Sequence, residues 1–146
     1  MIIFGASGDL TKRKLMPALY SLYREKRLTG EFSILGIGRT VYSDDNYRSY
    51  ILEELQQFVK SEEQDTALMA SFVSHLYYLP MDPAKEEGYP QLRQRLVELT
   101  NEVDPDNLLF YLADVYKRQL IKEFESQSVH VCHREHGYDL ISGLQV

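Results

Sequence analysis

Four short apolar runs, spaced along the chain with amphipathic stretches between them, limit what this sequence can fold into more than any other feature. MIIF (1–4) ends at Gly5, FSILGIG (32–38) ends in glycine, HLYYLPM (75–81) carries Pro80 with Pro83 beyond it, and LLFYLA spans 108–113. Runs this short and this apolar are strands buried on both faces. Between the first two, residues 8–27 carry Leu15, Leu19 and Leu22 at helical spacing, with Pro17 expected to kink the helix or split off a first piece. Ser43-Asp44-Asp45 supplies an N-cap hydroxyl and acidic first-turn residues to a helix whose stripe is Tyr47, Ile51, Leu55 and Phe58. A further short helix is expected over 62–73. Another carries Leu92, Leu96, Leu99 and Val103, and the turn DPDN follows it. Strands alternating with helices in this way predict βαβ units. The expected fold class is α/β, an incomplete Rossmann-like doubly wound parallel sheet of about four strands in the order 3-2-1-4.

Charge and composition narrow the function classes. The net charge is −6 and the basic residues do not gather into a stripe, which argues against nucleic acid or an anionic membrane surface as a partner. No apolar run approaches the roughly 18 residues that span a bilayer. The first residues have neither the basic nor the long apolar region of a signal peptide. One cysteine, Cys132, rules out an internal disulfide and fits a reducing cytoplasm.

The chemistry is concentrated after the first strand, in Gly5-Ala6-Ser7-Gly8-Asp9-Leu10. Glycines let a backbone approach a pyrophosphate closely. The helix that starts there offers unpaired N–H groups and the positive end of its dipole. A tight turn with no ligand remains the alternative reading of this motif alone. The second strand adds weight, because dinucleotide folds choose between NAD and NADP at its end. Here Arg39 and Thr40 follow the strand, and no acid appears until Asp44. An arginine in that place suits a 2′-phosphate, although a solvated surface arginine is the plainer alternative.

FGASGDLTKRKLMPALYSLY, then ILGIGRT, then FYLA closely resemble, in order, the N-terminal coenzyme domain of the glucose-6-phosphate dehydrogenase family over residues 2–113. The resemblance implies NADP as coenzyme and glucose 6-phosphate as the substrate of a cytoplasmic, homo-oligomeric parent enzyme of glucose metabolism. Carried over by position, Gly5, Ala6, Ser7, Gly8, Asp9 and Leu10 belong to the coenzyme turn and Arg39 to the 2′-phosphate. Lys14 matches a lysine that helps hold substrate, and Asp82 and Pro83 match a segment near the adenosine. The start looks clipped against the family. The family's Pro-Pro segment at the nicotinamide, its later substrate lysine and its histidine base do not occur in this sequence. Hydride transfer from an alcohol needs such a base, so the chain itself is expected to be inactive. His75, at a strand start, is expected to be structural.

At Asp114 the character of the sequence changes. DVYKRQ (114–119) reads back as GAT GTG TAT AAG AGA CAG, which resembles a transposon end joined to DNA fragments in sequencing libraries. The expected division is a partial coenzyme-binding domain at 1–113 and an unrelated or foreign tail at 114–146. On that reading the fourth strand keeps an open apolar edge, and the chain folds and dissolves poorly. His130, Cys132, His133 and His136 crowd metal-ligand types together, but their spacing fits no standard zinc motif, and no metal is assigned. A natural stand-alone nucleotide-binding or interaction module, and a fragment of another Rossmann-type NADP reductase, are the alternative functions.

Overall fold

The computed structural model describes residues 1–28, 32–100 and 108–112, together with strands at 131–135 and 138–141. The strands are β1 (Ile2–Phe4), β2 (Ile34–Gly38), β3 (Leu76–Pro80), β4 (Phe110–Leu112), β5 (Val131–Glu135) and β6 (Tyr138–Ile141). The α-helices are α1 (Met16–Arg24), α2 (Asp44–Phe58), α3 (Thr66–Ser74) and α4 (Tyr89–Thr100). Strands β3, β2, β1 and β4 lie side by side and parallel, in the expected order 3-2-1-4.

Alternation along the strands divides the core between the two faces of the sheet. Ile3, Ile34, Leu76 and Tyr78 face Met16, Leu19 and Tyr20 of α1, Tyr47, Ile51 and Leu55 of α2, and Met69 and Phe72 of α3. Ile2, Phe4, Leu35, Ile37, Phe110 and Leu112 pack on the other face with Met81 and with Leu92 of α4. Both faces are therefore covered, as a parallel sheet requires.

As expected, Pro17 marks off a short first piece of the helix: residues Thr11–Leu15 ahead of it form a π-helical turn, and α1 follows. Two local differences from the sequence reading have simple causes. The buried face of α1 is Met16, Leu19 and Tyr20, with Leu15 and Leu22 only half-buried. On α2 Ser43 caps as expected, accepting from the Asn46 N–H, but Val59 rather than Phe58 completes the buried stripe. The ring of Phe58 instead lies under the Arg13 guanidinium, 5.3 Å from ring centroid to cation. Val103 and the DPDN turn lie outside the described residues.

The larger correction concerns the far edge. The sheet has six strands, because β5 pairs parallel with β4 (Phe110 opposite Val131) and β6 returns antiparallel along β5. Strand β4 is therefore not an open edge. The run Val131-Cys132 has strand-forming character, and a parallel neighbour satisfies the outward backbone groups of β4. Residues 114–119, with His130 and His136, fall outside the described residues, whereas Cys132 and His133 stand on β5.

Candidate nucleotide-coenzyme site

The turn leaving β1 is locked by its own backbone. Gly5 takes a φ of 79°, a left-handed conformation that glycine adopts without strain. The amides of Gly5 and Ala6 both donate to Ile37 O on β2 at 2.9 Å, and the Gly8 amide donates back to Gly5 O at 3.0 Å. Gly5 O also accepts from Thr11 Oγ1 at 2.9 Å, and Thr11 is fully buried. A Cβ at Gly8 would stand 3.0 Å from Gly5 O, so a side chain there would crowd the turn. The amides of Asp9 and Leu10, at the first helical positions, have no acceptor among the described residues. An anionic group fits that arrangement: a glycine-lined approach ends in free N–H groups at a helix start.

The end of β2 lies beside this turn. Arg39 and Thr40 are exposed, and the Arg39 guanidinium has no ion-pair partner among the described residues. Thr40 Oγ1 donates to Ser7 Oγ at 3.3 Å, so residues 5–10 and 39–40 are in direct contact. Asp44, the nearest acid after the strand, is fully committed elsewhere. Its Oδ1 accepts from the Tyr78 amide at 2.8 Å, and its Oδ2 is paired with Arg95. A carboxylate fixed to the edge of β3 is not free to bind a ribose.

The third loop, after β3, joins through Met81, whose amide donates to Gly38 O at 2.9 Å. Asp82 closes its own turn by accepting from the Ala84 amide at 3.1 Å, and Pro83 O accepts from the Tyr89 hydroxyl at 2.9 Å. Gly5–Leu10, Arg39, Asp82 and Pro83 thus gather at the carboxyl ends of β1, β2 and β3, where open α/β sheets bind ligands.

Lys14 lies on the π-helical turn that follows. Lys12 pairs with Glu54 at 3.4 Å and Arg13 with Asp9 at 2.8 Å. Lys14 is the cation of this turn with no carboxylate partner among the described residues. π-Helical turns are common at functional sites.

Two groups escaped the sequence reading. Tyr47, fully buried, donates its hydroxyl to Ala6 O at 3.1 Å. Tyr78 donates to Thr40 O at 2.9 Å. Burial pushes both phenols above their ordinary value, and neighbouring tyrosines add to it; at Tyr78 the Ser7 side chain opposes the shift. A tyrosine in a strand gives no periodic signal that its hydroxyl crosses to another loop. His75 caps the end of α3 and stacks on Phe32 with centroids 4.3 Å apart, a packing position remote from the turn.

A glycine turn at a helix start, lying at the switch between β1 and β4 of a doubly wound sheet, defines a nucleotide-coenzyme-binding domain. Residues 2–132 match the family described as glucose-6-phosphate dehydrogenase, NAD binding domain. The chain belongs to that family. The glucose-6-phosphate 1-dehydrogenase of Aggregatibacter actinomycetemcomitans is 42% identical over 114 residues, covering 77% of this chain and 22% of that protein. Its Streptococcus pneumoniae counterpart is 35% identical over 130 residues, covering 87% of this chain and 26% of that protein. Among solved structures, a glucose-6-phosphate dehydrogenase in complex with its substrate glucose-6-phosphate superposes with a TM-score of 0.73 at 32% identity, over 94% of this chain and 30% of that one. The chain thus spans about a quarter of the relatives it matches, the coenzyme-binding part of an oxidoreductase family. The family match continues past residues 114–119 as far as residue 132. No helix among the described residues is long and apolar enough to cross a membrane.

Proposed function

We propose that this chain is the NADP-binding portion of a glucose-6-phosphate dehydrogenase, whose whole enzyme passes hydride from glucose 6-phosphate to NADP and yields the lactone. Residues Gly5–Leu10 take the coenzyme pyrophosphate, with the Asp9 and Leu10 amides as donors. Arg39 takes the 2′-phosphate and Asp82-Pro83 borders the adenosine. Lys14 reaches toward the substrate, its ammonium left free by the pairing of its neighbours. One observation carries the choice of NADP: the cation after β2 is free, while Asp44, the nearest acid, is bound to the Tyr78 amide and to Arg95. A free NAD-type carboxylate would have the opposite arrangement.

Titration of the full chain with NADP and NAD tests this reading. NADP is expected to bind more tightly, and Arg39→Ala to remove most of the difference. Equal affinities in the wild type would refute the role of Arg39. We also propose that the chain alone turns nothing over, because the family's histidine base and later substrate lysine lie outside this sequence. Formation of NADPH from glucose 6-phosphate, abolished by a substitution within 1–113, would contradict that.

We further propose that residues 114–146 differ in origin from 1–113. The DVYKRQ hexapeptide supports this, while the family match to residue 132 weighs against it. Long reads of the source DNA decide the matter: they should leave Ala113 into a different continuation, and DVYKRQ recovered in frame would sink the proposal.

A further inference from the structure

Tyr78 starts on β3, two strands away from the turn after β1, and its hydroxyl crosses the end of β2 toward that turn. The crossing is possible because residue 38 is glycine. A Cβ there would stand 2.6 Å from the Tyr78 hydroxyl and 2.9 Å from Ser7 Oγ. The phenol donates to Thr40 O at 2.9 Å, and Thr40 Oγ1 in turn donates to Ser7 Oγ at 3.3 Å. One oxygen thus ties β3 to the end of β2, and Thr40 carries the link on to the turn after β1.

Its ring is held firmly. Tyr47 packs on it at 4.6 Å between centroids, and Tyr42 meets it edge-on at 5.4 Å. Tyr42 in turn stacks on Tyr50 at 5.4 Å. Four aromatic rings therefore aim one hydroxyl at the backbone of the residue after Arg39. The turn after β1 has independent supports in Ile37 O and Thr11, so it does not depend on this phenol. The exposed 39–40 segment has no comparable main-chain lock among the described residues.

Resting on the NADP reading above, we propose that Tyr78 is a positioning residue for coenzyme selectivity: its hydroxyl fixes the path of residues 39–40, and with it the aim of Arg39 at the 2′-phosphate. The phenol touches no phosphate. It acts through Arg39, so its loss weakens NADP and spares NAD.

The test uses the full chain, titrated with NADP and NAD as wild type, Tyr78→Phe, Arg39→Ala and the double variant. Phenylalanine keeps the ring and removes one hydrogen bond, which should weaken NADP about 2- to 12-fold with little change in NAD. In the Arg39→Ala background the same substitution should change nothing further. Equal weakening of both coenzymes, an unchanged NADP to NAD ratio, or additive effects in the double variant would overturn the proposal. Should Tyr78→Phe fail to fold, Gly38→Ala displaces the same oxygen from the opposite side, and an unchanged ratio there overturns it as well. A wild type without NADP preference would instead refute the coenzyme reading. Selectivity lost in Arg39→Ala but kept in Tyr78→Phe would refute the Tyr78 role alone.

Discussion

The two loops of the site are built in opposite ways. Residues 5–11 are tied into the sheet by main-chain bonds to Ile37 O, a closing bond to Gly5 O and the buried Thr11 hydroxyl. Residues 39–41 are exposed, reaching 83% at Val41, and depend on side chains from other strands. On the proposed reading, the first loop supplies what every dinucleotide needs, a grip on pyrophosphate, and the second supplies what distinguishes one coenzyme from another. Substitutions there can change preference without disturbing the core.

The largest expected effect breaks the comparison at the second loop. On the proposed reading Arg39→Ala removes a charge-assisted bond to the 2′-phosphate, worth about 1.5–3 kcal/mol, so NADP affinity should fall about 10- to 150-fold while NAD is unchanged. Parallel calorimetric titrations of the two coenzymes check it. Next comes Asp44→Ala, which separates a structural acid from a ribose ligand. It removes both the bond to the Tyr78 amide and the pair with Arg95, and should cost about 1.5–3 kcal/mol of stability in denaturant melts. The NADP to NAD ratio should stay put; a selective loss of NAD would mean that Asp44 binds ribose after all.

Thr11→Val probes the first loop. Removing one hydrogen bond to Gly5 O should cost about 1 kcal/mol and weaken both coenzymes to the same degree. A selective effect would blur the division of labour between the loops. The smallest effect at neutral pH is that of the tyrosines. Burial raises Tyr47 and Tyr78, and burial with Glu54 pushes Tyr50 up to about 12. Phenols whose folded values exceed the unfolded value near 10 stabilise the fold fully below that pH, and lose the contribution as pH rises through the folded values. Thermal melts should therefore be flat in this respect through neutral pH and fall above about pH 10, with a shallower fall in Tyr47→Phe.

Sequence pattern carried the frame of the molecule further than its contacts. The runs at 1–4, 32–38, 75–81 and 108–113 became β1 to β4 in the expected order, because short apolar strands between amphipathic helices have few ways to bury both faces. That the glycine turn and Arg39 stand at the ends of β1 and β2 was legible for the same reason. Tyr78 was not legible, because its partner Thr40 is distant in sequence and meets it only once β2 and β3 align. Thr11 was hidden inside an otherwise basic turn. The run at 131–135 read as part of a polar tail, and its pairing with β4 is a long-range event without a helical period to announce it.

The central claim is that the end of β2 reads a 2′-phosphate. It is tested most directly by comparing adenosine 2′,5′-bisphosphate with adenosine 5′-monophosphate as ligands of the full chain, in wild type and Arg39→Ala. These ligands omit the nicotinamide half, so the difference between them isolates one phosphate. The account predicts that the bisphosphate binds about 10- to 150-fold more tightly to wild type and that Arg39→Ala brings the two together, the monophosphate being unaffected. Equal binding of both ligands by the wild type, or a preference that survives Arg39→Ala intact, would contradict it.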